Sequence, residues 1–256
     1  MATQSSIEWT EVTWNPVTGC TKISAGCKNC YAERMAKRLQ AMGVPQYKDG
    51  FKIALAPKML DVPYTWKKQK VVFVNSMSDL FHPDVPTDYI KTVFHVMNTT
   101  NHIYQVLTKR ADRLKEIAHE LNWTDNIWMG VSVENEKVSH RILDLIATPA
   151  KTKFLSVEPL IGAVKNLYTE NIDWVIVGGE SGPKSRPVKK EWIQFVKKEC
   201  ERTKTPFFFK QWGKKDFNDN PNDPTIATEH LNHAKGGCQL DGQIYREMPM
   251  NVALNR

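Results

Sequence analysis

Three cysteines fall in one short loop near the start of the chain, Gly19-Cys20-Thr21-Lys22-Ile23-Ser24-Ala25-Gly26-Cys27-Lys28-Asn29-Cys30-Tyr31. The Cys-x6-Cys-x2-Cys spacing lets the thiols of Cys27 and Cys30 converge on one metal centre, and the longer gap brings Cys20 round to them. Three thiolates are one short of a closed four-thiolate site. If they hold three irons of a [4Fe-4S] cluster, the fourth iron has an open position for a substrate or cofactor. The other metal reading is a structural zinc with three thiolates and one imidazole, with His82 or a tail histidine (His230, His233) as the missing ligand. Cys200 falls on the apolar face of a helical pattern and is expected in the core, whereas Cys238 beside Gly236 and Gly237 is expected to be incidental.

A second set of polar groups follows the apolar runs. Val71–Val74, Ile103–Leu107, Ile127–Val131, Lys153–Leu155, Asp173–Val177 and Pro206–Phe209 are the short, β-branched or aromatic runs of buried parallel strands. Asn75, Ser76, Ser78 and Asp79 follow the first, Lys109 and Arg110 the second, and Ser132 and Glu134 the third. Ser156 and Glu158, then Gly179 and Glu180, then Lys210 and Gln211 follow the rest. Polar residues at a strand end also serve turns and helix caps. Yet carboxylates such as Glu134 and Glu158, just beyond an apolar run, are costly to bury unless ligand or partner groups satisfy them. In a parallel barrel such ends gather where ligands bind.

Helical spacing recurs between most of the runs, over Tyr89–Met97, Leu114–Leu121, Val138–Ile146 and Trp192–Cys200. Ile7–Trp14 supplies a first strand and Cys30–Met42 a first helix ended by Gly43. The expected fold is therefore α/β, a partial (β/α) barrel of about six to seven parallel strands. Residues 1–213 make the barrel, with the cysteine loop at 19–31 and a proline-bearing insertion at 44–70. Residues 214–256 form a polar extension with a small hairpin over Leu240–Tyr245.

With 256 residues, 41% hydrophobic and 25% charged, the chain can bury a core without disulfides. It has no long apolar run and no export-signal pattern at Met1–Trp9, so the expectation is a cytoplasmic protein with no membrane partner. A net charge of +7 favours phosphate-rich partners. Lys67-Lys68-Gln69-Lys70, the helix from Lys189 to Lys204, and Lys214-Lys215 are the basic runs, and such runs also occur as solvated faces. Phosphate-loop, serine-hydrolase and histidine-pair metalloprotease motifs are all missing.

Several motifs together resemble the phage-type three-Cys-motif proteins, a divergent branch of the radical S-adenosylmethionine superfamily. They are Thr13-Trp-Asn-Pro-Val-Thr-Gly-Cys20, Gly26-Cys-Lys-Asn-Cys-Tyr-Ala-Glu33, Val74-Asn-Ser-Met-Ser-Asp-Leu-Phe81, Leu107-Thr-Lys-Arg110, Gly130-Val-Ser-Val-Glu134, Ser156-Val-Glu-Pro-Leu160, Gly178-Gly-Glu-Ser181 and Phe208-Phe-Lys-Gln-Trp-Gly213. The resemblance implies a radical-SAM-like barrel in which Cys20, Cys27 and Cys30 bind a [4Fe-4S] cluster. S-adenosylmethionine would chelate the open iron and yield a 5'-deoxyadenosyl radical that takes hydrogen from the substrate.

This chain departs from the superfamily's usual Cys-x3-Cys-x2-Cys spacing, and its Gly178-Gly179-Glu180 follows a late strand rather than the second. By position, the resemblance makes Ser76, Ser78 and Asp79 candidates for the methionyl amine, Lys109 or Arg110 for the carboxylate, and Ser132 and Glu134 for the ribose. Ser156, Glu158, Gly179 and Glu180 are further cofactor contacts, Lys210 and Gln211 the candidate catalytic residues, and Trp212 fits packing. The substrate class expected is a nucleic acid base or nucleotide, with DNA or RNA as partner. An electron donor such as flavodoxin or ferredoxin and a partner protein encoded nearby belong to the same expectation. The alternative is a non-catalytic nucleic-acid-binding module with a structural zinc.

Overall fold

A computed structural model describes residues 3–5, 7–227 and 236–249, so His230 and His233 lie outside the described residues. The fold is α/β, of the partial (β/α)-barrel class, with seven parallel strands. In chain order the strands of the main sheet are β1 (Thr3–Gln4), β2 (Val12–Trp14), β5 (Val71–Val74), β6 (Ile103–Thr108), β7 (Ile127–Ser132), β8 (Thr152–Val157), β9 (Trp174–Gly178) and β10 (Phe207–Gln211), and spatial order follows sequence order. Only β1, paired with β2, is antiparallel. Two compact units divide the described fold.

Of the described residues, the first unit comprises those up to 130, with 147–152. Its strands are apolar runs closed off from water: Val72, Val74, Tyr104 and Val106 are fully buried. Trp14 stacks against Tyr104 with centroids 5.7 Å apart. Helix α2 (Thr87–Thr99) buries Ile90, Val93, Phe94 and Met97, the one-sided spacing of an amphipathic helix. The first strand is shorter than Ile7–Trp14. Ahead of Val12 the Val71 carbonyl accepts both the Glu11 amide and Thr10 Oγ1 (each 3.0 Å), and the Val71 amide donates to Glu11 Oε2 (2.7 Å), so a side chain takes the place of one ladder bond there.

The insertion is built into this unit. Within it β4 (Ala54–Leu55) pairs antiparallel with β3 (Val17–Thr18), immediately before the cysteine loop. Tyr47 of the same segment joins a small core with Ala32 and Ala36 of α1 (Tyr31–Ala41) and Met77, against which Cys30, Met35, Leu39 and Phe51 pack. At Gly19 φ is +83°, and a Cβ would lie 2.0 Å from the Lys52 carbonyl oxygen. Only glycine lets the cysteine loop pass so close to the insertion.

In the second unit, residues 131–146 and 153–253, β8, β9 and β10 are parallel and β9 is buried at every position. Trp174 contacts Phe154 (5.9 Å) and Phe208 (6.0 Å) between ring centroids, and α5 (Lys190–Thr203) buries Ile193, Val196 and Cys200. Cys200 is thus a core residue, as its helical position predicts. The small hairpin forms from β11 (Gln239–Leu240) and β12 (Gln243–Ile244). Cys238 is fully buried, its amide donating to Thr225 Oγ1 (2.8 Å), so it is a packing residue and not incidental.

One carboxylate organises this extension. Asp223, 4% exposed, accepts from the Thr225 amide and hydroxyl, from Asn218 Nδ2 and from the Gln239 amide, at 2.6–3.2 Å. Burial alone would raise its pKa, but those bonds outweigh it and hold the carboxyl below its ordinary value. Such a group adds stability above its unfolded pKa of about 3.9, and that contribution is lost as pH falls through the lower folded value. Asp223→Asn should therefore cost about 1–3 kcal/mol at neutral pH, with the gap from wild type closing in strong acid. Urea unfolding at pH 7 and pH 3 checks this, and an unchanged gap contradicts it.

Candidate functional site

The cysteine loop is held from below by one buried carboxylate. Asp79, 7% exposed just beyond β5, accepts the Phe81 amide and the Thr108 hydroxyl on Oδ1 (3.0 and 2.7 Å) and the Lys109 amide on Oδ2 (3.0 Å). It lies 4.0 Å from Arg110 Nε, an atom buried without a hydrogen bond. The far end of Arg110 reaches the loop. Nη2 donates to the carbonyl and hydroxyl oxygens of Thr21, both at 3.0 Å, and sits 4.0 Å from Cys20 Sγ. Helix α3 (Ala111–Ile117) begins directly after this arginine, so the end of β6 supplies both the hydroxyl and the guanidinium.

Backbone bonds complete the hold. The Gly19 amide donates to Met77, the Cys20 amide to Phe51, and Ser78 Oγ to the Val17 carbonyl (3.1, 3.1 and 2.7 Å). Ser76 Oγ donates to Asn15 Oδ1 (3.2 Å). Of the three residues expected near a methionyl amine, Ser76, Ser78 and Asp79 all lie here, but each polar group already has a partner in the chain. Lys109 takes part through its backbone amide, and among the described residues its ammonium makes no ion pair.

All three thiols are partly exposed. Burial, with Asp79 next, pushes the Cys20 thiol up to about 11, against the opposing pull of Arg110. Cys27 is close enough to add to that rise, and its sulfur lies 3.7 Å from Ser24 Oγ. Among the described residues no three His, Cys, Asp or Glu side chains stand as a ready metal cage. What fits a metal here is the donor set: three thiols on one short loop with a guanidinium against the first, whose charge opposes the burial that keeps the Cys20 thiol protonated. A metal bound there displaces the Cys20 proton.

His82 occupies the neighbouring position. It is 3% exposed; Nδ1 accepts the Asp84 amide (3.1 Å), so the neutral ring carries its proton on Nε2 and donates to Thr21 Oγ1 (2.7 Å). Burial first, then the Arg110 charge, lowers its pKa and keeps it neutral. In this arrangement His82 braces the loop and its Nε2 is engaged.

The second unit holds the other predicted residues in three ion pairs beyond the strand ends. Glu134, 1% exposed, meets Arg141 Nη1 at 3.1 Å, and the same nitrogen donates to the Ser132 carbonyl at 2.9 Å. Ser132 Oγ is buried with no hydrogen bond. Glu158 Oε1 accepts from Lys210 Nζ (2.8 Å) and Gln211 Nε2 (3.4 Å), and Gln211 Nε2 also reaches the Gly179 carbonyl (3.2 Å). Glu180 is held by the Arg186 amide, Nε and Nη2 at 2.9, 2.8 and 2.5 Å. Ser156 is buried, its carbonyl accepting the Val133 amide. A Cβ on Gly179 would lie 2.0 Å from the Trp212 carbonyl oxygen, so Gly179 serves close backbone approach. Trp212 is fully buried, a packing residue as predicted.

Arg141, His82 and Arg186 escape a reading of strand ends. Their signal is indirect: a carboxylate just past a buried strand requires a cation within reach, and Arg141 and Arg186 lie seven and six residues after Glu134 and Glu180. Arg141→Met should cost about 3 kcal/mol or more by removing the guanidinium that donates to buried Glu134 at 3.1 Å, and adding Glu134→Gln should recover part of the loss. Denaturant unfolding measures both. A cost under about 1 kcal/mol contradicts a structural role for the pair.

No curated protein and no solved structure matches this chain. A family model with the description "Protein of unknown function (DUF5131)" matches residues 4–249. Since that span takes in the cysteine loop, every strand after β1 and the C-terminal hairpin, the chain belongs to the DUF5131 family.

Proposed function

We propose that this protein is a radical S-adenosylmethionine enzyme whose Cys20, Cys27 and Cys30 hold a [4Fe-4S] cluster, and that it modifies or repairs a nucleic acid base or nucleotide. The observation that carries the reading is the three-thiol loop tied through Thr21 to the buried Arg110–Asp79 pair. When bound, the cluster supplies the electron that cleaves S-adenosylmethionine to a 5'-deoxyadenosyl radical.

The chain's own residues position and protect. Cys20, Cys27 and Cys30 supply the ligands, with no fourth cysteine in the loop to close the site. Arg110 fixes the loop by its two bonds to Thr21 and places positive charge against the Cys20 sulfur, which favours the thiolate. Asp79 orients that arginine and is itself locked by three hydrogen bonds, so the charge sits in a preorganised place. Neutral His82 donates to Thr21 and adds no competing charge. The ammonium of Lys109, whose amide belongs to this network and which makes no ion pair among the described residues, is the proposed partner for a ligand carboxylate.

Anaerobic purification with iron and sulfide analysis, a visible spectrum, and addition of S-adenosylmethionine with reductant test the reading. About four irons per chain are expected, absent when Cys20, Cys27 and Cys30 are all changed to Ala, with 5'-deoxyadenosine formed. Arg110→Ala should keep the fold by circular dichroism and lose iron faster on dilution. One tightly held zinc with no cleavage would sink the proposal in favour of a zinc-bearing binding module.

A further inference from the structure

Positive charge is concentrated around the cysteine loop. Residues 20–52 contain Lys22, Lys28, Arg34, Lys37, Arg38, Lys48 and Lys52 against only Glu33 and Asp49, so this stretch carries five of the seven surplus charges of the whole chain. Glu33 pairs with both Lys22 (2.8 Å) and Lys37 (3.0 Å). Lys28, Arg34, Arg38, Lys48 and Lys52 are exposed and, among the described residues, make no ion pair. The basic helix α5 is different: Lys189, Lys190, Lys197 and Arg202 all pair with carboxylates, so most of its charge is already answered.

The free cations lie on one small body. Ala32 and Ala36 of α1 are buried against Tyr47, Gln40 Nε2 donates to the Lys48 carbonyl (2.9 Å), and the Cys20 amide donates to Phe51 beside Lys52. On α1 an exposed stripe flanks this core. Tyr31, Arg34, Arg38 and, just past the helix, Met42 recur at offsets of three, four and four residues, one face at 100° per residue. Tyr31 is 58% and Met42 66% exposed, unusual for side chains of that size. The stripe starts next to Cys30.

We infer that this small body, through Tyr31, Arg34 and Arg38 of α1 with Lys28, Lys48 and Lys52, binds the backbone and one base of a single-stranded nucleic acid. Unanswered cations around an exposed aromatic ring are what such a strand requires: phosphates for the charges and a base face for the ring. An acidic protein would also meet the charge. However, three of the five free cations are lysines, a residue depleted at protein interfaces but suited to phosphate as a point charge. The inference rests on the nucleic-acid part of the proposed function and is independent of the cluster.

Fluorescence anisotropy of a labelled mixed-sequence single-stranded DNA and its RNA equivalent, titrated with the full chain at several salt concentrations, tests it. Binding should weaken with salt with a log–log slope of about −3.5 if all five free cations meet phosphates. Arg34→Ala/Arg38→Ala should weaken binding at least tenfold at low salt and reduce the slope by about 1.4, with Lys28→Ala/Lys52→Ala as an independent pair. Tyr31→Ala should weaken binding about fivefold or more with the slope unchanged. Lys67→Ala/Lys68→Ala, on another basic run, should leave both unchanged.

Absence of binding by the wild type, or loss only in the Lys67/Lys68 variant, overturns the inference. Equal binding of poly-glutamate with no effect of Tyr31→Ala overturns it too, and assigns the face to an acidic polypeptide. Iron content measured on the same samples keeps a failure of this inference separate from a failure of the cluster proposal.

Discussion

A buried carboxylate at the end of a buried strand has to be satisfied where it stands, and Asp79 shows what that requirement builds. Its two oxygens collect the Phe81 amide, the Thr108 hydroxyl and the Lys109 amide, and its charge faces Arg110. The bonds tie the carboxyl end of β5 to that of β6 and fix the chain where α3 begins. Arg110 cannot then point at will; its guanidinium is delivered to Thr21, one residue from Cys20. An uncompensated charge in this place would cost several kcal/mol, so the brace and the loop stand or fall together.

The insertion completes the hold from the other side. The β3–β4 pair, the Phe51 carbonyl and the passage of Gly19 against Lys52 keep the loop against α1, while Tyr47 and Met77 fill the space beneath it. Loop residues held in this way can offer their side chains outward, which is why the thiols remain partly exposed although Cys20 is buried enough to resist ionisation. The second unit meets the same constraint differently, giving each strand-end carboxylate its own cation: Arg141 for Glu134, Lys210 for Glu158 and Arg186 for Glu180. A ligand reaching these carboxylates must compete with a partner already in place.

Most of the architecture was legible from residue types alone. Apolar β-branched runs at Val71–Val74 and Asp173–Val177 have few alternatives to buried parallel strands, and the observed strands begin within one residue of those positions. The helices were legible from apolar spacing, as α2 and α5 show. What stayed hidden was side-chain bonding across sequence distance. Thr10 and Glu11 end the first strand early by bonding Val71, sixty residues away, and no local pattern announces that. The cysteine spacing made the loop conspicuous, whereas Arg110 and His82 stand out in the sequence only as a candidate carboxylate partner and a candidate zinc ligand, and their bracing of Thr21 shows only in the fold. Cys238 looked incidental because its burial depends on Asp223 and Thr225 closing the extension around it.

The central claim is that the braced three-thiol loop holds a cluster with one open iron. Electron paramagnetic resonance on the anaerobically reduced, full-length protein, before and after S-adenosylmethionine is added, tests it most directly. The expected result is the signal of a reduced [4Fe-4S] cluster whose g values shift on addition, because the ligand occupies the open iron. A protein silent in both spectra and carrying zinc, or a cluster signal unmoved by S-adenosylmethionine, would contradict it.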